Sequence, residues 1–169
     1  MTDSNTDNND IDEFYAVEAL TEIHESDLES IEVKYKEEQL TNCLSTDTEF
    51  EYGWALVRSP YKSDRLQGIH ILSQLLVNYP NTRTRDCLYY LAVGHFRCKQ
   101  YEDAMQMVNR LLRLEPHNQQ AASLRKLIEK RVRRDGLIGA TMVGGLAFIG
   151  AVSLASFVSR MFSGRGGSK

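Results

Sequence analysis

The sequence predicts an all-α protein, a helical bundle of about six helices followed by a single C-terminal transmembrane helix, and three observations predict it. Apolar residues recur at helical spacing from residue 26 to residue 134. One spacing pattern occurs twice, displaced by 36 residues. Residues 136–159 then form an unbroken run of 24 uncharged residues.

Met1 to Asp10 contains no large apolar residue after the initiator, so burial cannot offset the entropy of ordering it. Between Ile11 and Ile23, Phe14, Val17 and Leu20 recur among acidic residues, which suggests a short helix or a docked arm; residues 1–25 are read as an acidic, partly disordered N-terminal arm. The cytosolic domain is expected over residues 26–134. Its first helix starts at the capping residues Ser26 and Asp27 and places Leu28, Ile31, Tyr35 and Leu40 on one side. From Thr48 the pattern becomes dense. Phe50, Trp54 and Val57 share a face before a turn at Ser59-Pro60, and Leu66, Ile69, Leu72, Leu75, Leu76 and Tyr79 follow up to Pro80. A second round runs through Leu88, Leu91, Ala92 and His95, turns near Cys98 to Gln100, and continues through Tyr101, Ala104, Val108, Leu111 and Leu114 to Pro116. Ala121, Leu124, Leu127 and Ile128 build a closing amphipathic helix over 118–134.

Gly68, Leu72, Leu75 and Pro80 in the first round match Ala104, Val108, Leu111 and Pro116 in the second, step for step. The small residue lets the second helix of a hairpin approach the first, large apolar residues fill the gap, and proline stops the helix because it cannot donate the next backbone hydrogen bond. The pattern resembles the tetratricopeptide repeat, with copies at about 49–82 and 85–118. Two such repeats expose apolar faces at both ends of the stack, so flanking helices are needed to cover them.

As a helix, residues 136–159 span about 36 Å, enough to cross a hydrocarbon layer roughly 30 Å thick. The run is apolar or small on every face, unlike an amphipathic surface helix. With a short basic tail at 160–169 carrying Arg160, Arg165 and Lys169 as targeting residues, it reads as a tail anchor of mitochondrial outer and peroxisomal membranes. Small residues four apart (Gly136, Ala140, Gly144; Ala147, Ala151, Ala155) either let two anchors pack into a homo-oligomer or simply loosen a weakly hydrophobic helix.

The formal net charge of −3 conceals a division: residues 1–49 hold 15 acidic and 2 basic side chains, the remainder 8 and 18. The basic residues scatter over helices and cluster only at Arg125, Lys126, Lys130, Arg131, Arg133 and Arg134, directly before the anchor. That placement suits anionic headgroups rather than nucleic acid. Cys43, Cys87 and Cys98 form no CxxC pair and are odd in number, which fits a reducing compartment and suggests neither disulfides nor zinc. His24, His70, His95 and His117 are dispersed, and no phosphate-binding GxxxxGK[ST] string occurs. No enzymatic activity and no cofactor are expected.

Five strings narrow the reading: FEYGWALVRS (Phe50–Ser59), CLYYLAVGHFR (Cys87–Arg97), QYEDAM (Gln100–Met105), LEPHNQQA (Leu114–Ala121) and KRVRRDGLIGATMVGG (Lys130–Gly145). Together, and in this order, they resemble the mitochondrial fission 1 protein family over roughly Asp27 to Phe157. The resemblance implies a single-pass adaptor of the mitochondrial outer and peroxisomal membranes, its N-terminal domain in the cytosol. Its implied partners are the dynamin-related GTPase of organelle fission, the adaptors of that GTPase, and Rab GTPase-activating and mitophagy-related proteins. Carrying tetratricopeptide positions onto this chain puts Gly53, Val57, Tyr89, Val93, Phe96 and Arg97 on a concave protein-binding groove. Residues 11–25 are either solvated or laid across that groove, so that a partner must displace them. A tail-anchored tetratricopeptide receptor for chaperones or import precursors is the alternative, although Arg97 alone makes a thin clamp for an acidic peptide. A membrane-fusion protein would need a continuous heptad helix, which Pro60, Pro80 and Pro116 interrupt.

Overall fold

A computed structural model describes residues 20–80 and 83–135. The anchor at 136–159, the basic tail with Arg160, Arg165 and Lys169, and the first 19 residues of the arm lie outside the described residues. Among the described residues no helix is long and apolar enough to cross a membrane. The chain divides into two compact units, Met1–Arg131 and Val132–Lys169, and both helical hairpins belong to the first.

Six helices are found among the described residues: α1 (Glu25–Leu40), α2 (Thr46–Val57), α3 (Lys62–Asn78), α4 (Thr84–Arg97), α5 (Tyr101–Leu114) and α6 (Gln119–Arg134). α2 pairs with α3 and α4 with α5 as two antiparallel hairpins, and α2 also meets α4. The starts of α2 and α6 are capped by side chains that satisfy otherwise orphaned backbone N–H groups, whereas α3, α4 and α5 have no side-chain cap. Ser45 Oγ accepts from Thr48 N at 3.1 Å, and Asn118 Oδ1 accepts from Ala121 N at 2.8 Å. In the α2–α3 turn the Ser59 hydroxyl donates to Asp64 Oδ2 at 2.6 Å and accepts from Tyr61 N at 3.1 Å.

The core is the apolar set that the spacing marks. Leu72, Leu88, Leu91, Val108, Leu111, Leu124 and Ile128 are essentially closed to solvent. Gly68 explains why α2 and α3 pack so closely: a Cβ there would lie 2.7 Å from Gly53 O and 2.8 Å from Val57 N. In the second hairpin Ala104, fully buried, occupies the matching position.

Some apolar residues of the periodic pattern stay in water. Leu40, Leu66, Tyr79 and Leu114 are all exposed. Leu40 and Leu114 are the last residues of their helices and Tyr79 stands one residue past its own, where no neighbouring helix reaches far enough to cover them; Leu66 lies in the second turn of α3. α1 buries none of its side chains completely. Tyr35 stacks on Tyr52 of α2 at 4.4 Å between ring centres, Lys34 Nζ meets Glu51 Oε2 at 2.8 Å, and Glu38 accepts from Ser45 N (3.0 Å) and Thr48 Oγ1 (2.8 Å).

Candidate functional site

The opening helices of the two hairpins, α2 and α4, carry the residues of interest. Gly53 and Val57, expected on an open groove, are packing positions instead. A Cβ on Gly53 would sit 3.0 Å from the Leu72 side chain, and Val57, fully buried, lies 3.0 Å from where a Cβ on Gly94 would be. The cause is register. Positions 53 and 57 are one helical turn apart on the side of α2 that faces α3 and α4.

Tyr89, Val93 and Phe96 are also buried in this structure. Tyr89 meets Tyr90 edge to face at 5.2 Å. Phe96 lies against Tyr101 at 5.9 Å, with the Arg131 guanidinium 5.9 Å from its ring centre.

Arg97 is the centre of a polar cluster, its side chain only 8% exposed. Nη1 donates to Leu20 O at 2.8 Å, and Nη2 donates to Glu22 Oε1 at 3.1 Å and to the carbonyls of Arg58 and Ser59 at 3.3 Å each. Arg58 joins in: its Nε donates to Thr21 O at 3.1 Å, and its carbonyl accepts from Ile23 N at 3.3 Å. Arg65 Nη1 holds the same turn from the other side, donating to Ser59 O (2.9 Å) and Pro60 O (2.6 Å). Burial pulls the Arg97 guanidinium below its ordinary pKa, opposed by the Glu22 carboxylate and reinforced by Arg65 and Arg58. Thus the described end of the N-terminal arm, Leu20 to Ile23, is seated on Arg97 and Arg58, largely through main-chain atoms; residues 11–19 of that arm lie outside the described residues.

Sequence reasoning missed an aromatic cleft on the same two helices. Asp47, Phe50, Glu51 and Trp54 of α2, Tyr90 of α4 and Arg83 just before α4 line a cleft of about 440 Å³. Tyr90 meets Phe50 (6.1 Å, 66°) and Trp54 (6.3 Å, 83°) edge-on, the arrangement favoured by ring quadrupoles. Arg58 lies 5.0 Å over the Trp54 ring and Arg83 lies 4.9 Å over Phe50. The available signal was the step of four through Phe50, Trp54 and Arg58, with Gly53 and Val57 forming a separate inward-facing stripe. A wider cleft of about 520 Å³ at the α5–α6 turn is a polar surface: Glu115 there already accepts from Arg85 Nε (2.9 Å) and Asn118 Nδ2 (2.7 Å). Among the described residues no group of three His, Cys, Asp or Glu side chains gathers as a metal site.

Two family models match the chain, Fis1 N-terminal tetratricopeptide repeat over residues 47–78 and Fis1 C-terminal tetratricopeptide repeat over 85–137. The chain is 44% identical over 132 residues to a mitochondrial fission 1 protein of Rattus norvegicus, covering 78% of this chain and 86% of that one. It is 36% identical over 146 residues to the mitochondrial fission 1 protein of Mycosarcoma maydis, covering 86% and 95%. Among solved structures it resembles yeast Fis1 in complex with an Mdv1 fragment containing N-terminal extension and coiled coil domains, at a TM-score of 0.64 and 25% identity over 70% of this chain and 91% of that one. The crystal structure of the fission protein Fis1 from Saccharomyces cerevisiae is similar with a TM-score of 0.63, also at 25% identity over 70% and 91%.

Proposed function

The chain belongs to the mitochondrial fission 1 protein family, and from that premise we propose that it is a non-enzymatic adaptor that concentrates fission machinery on mitochondrial outer and peroxisomal membranes. Residues 136–159 anchor it as a single-pass protein, with Arg160, Arg165 and Lys169 directing the tail and the helical domain in the cytosol. Its partners are the dynamin-related GTPase, or adaptors of that GTPase, with Rab GTPase-activating proteins as a further class. The bound yeast relative supports the adaptor class, because that structure holds a fragment of a second protein.

The observation that carries the mechanism is the seating of Leu20–Ile23 on Arg97 and Arg58. Carbonyl and N–H groups make most of these contacts, and any peptide segment carries the same groups, so the surface is suited to segment binding. A partner segment displaces residues 11–25, takes over the hydrogen bonds of Arg97, and reaches Tyr89, Val93 and Phe96 once the arm has left; Gly53 and Val57 hold the wall of the groove in place from behind. Displacement favours replacement, because without the arm Arg97 keeps only the Arg58 and Ser59 carbonyls and loses the Leu20 carbonyl and the one carboxylate that offsets its charge, that of Glu22.

The test is rescue in cells lacking the protein, by wild type or by an Arg97→Gln form verified to be folded and correctly localised. Mitochondrial length and puncta of the dynamin-related GTPase are the readouts. Rescue by wild type alone is expected. Equal rescue by both forms would move the binding surface away from Arg97, and normal mitochondria after deletion would remove the fission role.

A further inference from the structure

We propose that the cleft between α2 and the start of α4 is a seat for an arginine side chain of a partner, and that Arg83 fills this seat when no partner is present. The adaptor reading supplies only the source of that arginine; the seat itself rests on its own geometry.

Three features point to a guanidinium rather than an aliphatic side chain. The walls are the rings of Phe50, Trp54 and Tyr90, whose faces are electron-rich and attract cations. Two of those rings already lie under arginines of the chain, at 4.9 and 5.0 Å. The lining also includes the carboxylates of Asp47 and Glu51, the latter paired with Lys34 at 2.8 Å. Arg83 shows how the seat works: Nε and Nη2 both reach Asp47 Oδ1, at 2.9 and 2.8 Å, while the guanidinium carbon stays over Phe50. Contacts made at once through the edge and the face of a planar cation suit guanidinium better than a compact ammonium.

Arg83 is also built to leave. It stands outside the helix, as the residue before Thr84, and its side chain is 39% exposed. Returning that head group to water therefore breaks one surface ion pair and one stacking contact, both weak. Its backbone is left-handed, at φ 54°, a conformation that glycine or asparagine adopts at lower cost. The turn gains nothing from arginine here, so the residue is explained by where its side chain goes. An incoming arginine exchanges like for like.

Trp54 is the only tryptophan in the chain and reports directly on the seat. The experiment uses the full chain in detergent micelles as wild type, Arg83→Gly and Arg83→Asn, both replacements being compatible with the left-handed turn. N-acetylarginine amide is titrated while Trp54 fluorescence is followed, with the neutral isostere N-acetylcitrulline amide in parallel. Saturable binding of the arginine probe to both variants is expected, roughly tenfold tighter than to wild type, where Arg83 competes, and roughly tenfold tighter than citrulline binds. Adding Asp47→Asn to Arg83→Gly should abolish that preference. Equal response to arginine and citrulline, equal affinity in wild type and variants, or no saturable response in either variant would each overturn the proposal. The adaptor reading fails separately, in the rescue assay: a chain that takes the arginine probe yet restores no mitochondrial phenotype keeps the seat and loses the adaptor role.

Discussion

Gly68 offers the sharpest test of how the first hairpin is held. Replacing it with alanine adds one methyl group whose Cβ would lie 2.7 Å from Gly53 O, 2.8 Å from Leu56 Cβ and 2.8 Å from Val57 N. Two of those three atoms belong to the backbone of α2, so relief requires the helices to separate by several tenths of an ångström. Alanine in a helix interior gains about 1 kcal/mol over glycine in propensity, whereas overpacking a rigid contact costs about 1–3 kcal/mol or more. Backbone neighbours place this site at the upper end of that range, leaving a net loss of about 2 kcal/mol. For a domain of this size that corresponds to a fall in Tm on the order of 10 °C. Gly94→Ala is the matched control, since its Cβ would meet the side-chain atoms Ile69 Cγ1 (2.8 Å) and Val57 Cγ1 (3.0 Å), and side chains yield more easily than backbone. Thermal and urea denaturation of a fragment ending at Asp135 would measure both. A neutral or stabilising Gly68→Ala, or a larger loss at Gly94 than at Gly68, would refute this account of the packing.

Arg97→Met should cost about 2 kcal/mol by orphaning part-buried carbonyls and speed hydrogen exchange at the Ile23 amide, which bonds to Arg58 O; unchanged exchange would mean that the arm is held elsewhere. Glu38 has its pKa lowered by hydrogen bonds from Ser45 N and Thr48 Oγ1. Its contribution is therefore present above the ordinary value of 4.5 and lost as pH falls through the lowered one. Glu38→Ala should then depress Tm at about pH 7, where the carboxylate is charged, and the gap from wild type should close in acid; a gap constant with pH would contradict the assignment. Thiol labelling should proceed in the order Cys43, Cys98, Cys87, following their exposure, because burial pushes the Cys87 thiol up to about 11 and keeps thiolate scarce. Labelling of Cys87 in folded protein at the rate of Cys43 would show that the α4 interior opens readily.

The repeat architecture was legible because it depends on local spacing. The step from Gly68 to Leu72 and Leu75, copied at Ala104, Val108 and Leu111, predicts a close-packed hairpin, and all six residues are buried. The site was less legible because facing direction depends on neighbours that spacing does not reveal. Gly53 and Val57 follow a repeat position but turn inward, while Phe50 and Trp54, placed by spacing on one face with Val57, stay half-buried and form a cleft with Tyr90. Large aromatics at helical spacing look alike in sequence whether they seal a core or line a surface. The Arg97 cluster had no local signature at all, since its contact with Leu20 joins residues 77 apart in the chain.

The shallow seating of α1 sets how different parts of the domain respond to solvent. The hairpins are closed by buried leucines, isoleucines and valines, whose contribution comes with a heat-capacity change and weakens on cooling. α1 buries no side chain completely: Leu28, Ile31 and Tyr35 are half-buried, and the Tyr35–Tyr52 stack, an exposed ion pair at Lys34–Glu51 and the hydrogen bonds of Glu38 add to that contact. Its ionic contact weakens as added salt shortens the Debye length, with little accompanying change in heat capacity. Ionic strength and temperature therefore weigh differently on the parts of this small domain: salt acts on the grip of its first helix more than on the hairpins, while cold acts chiefly on the packing between the hairpins.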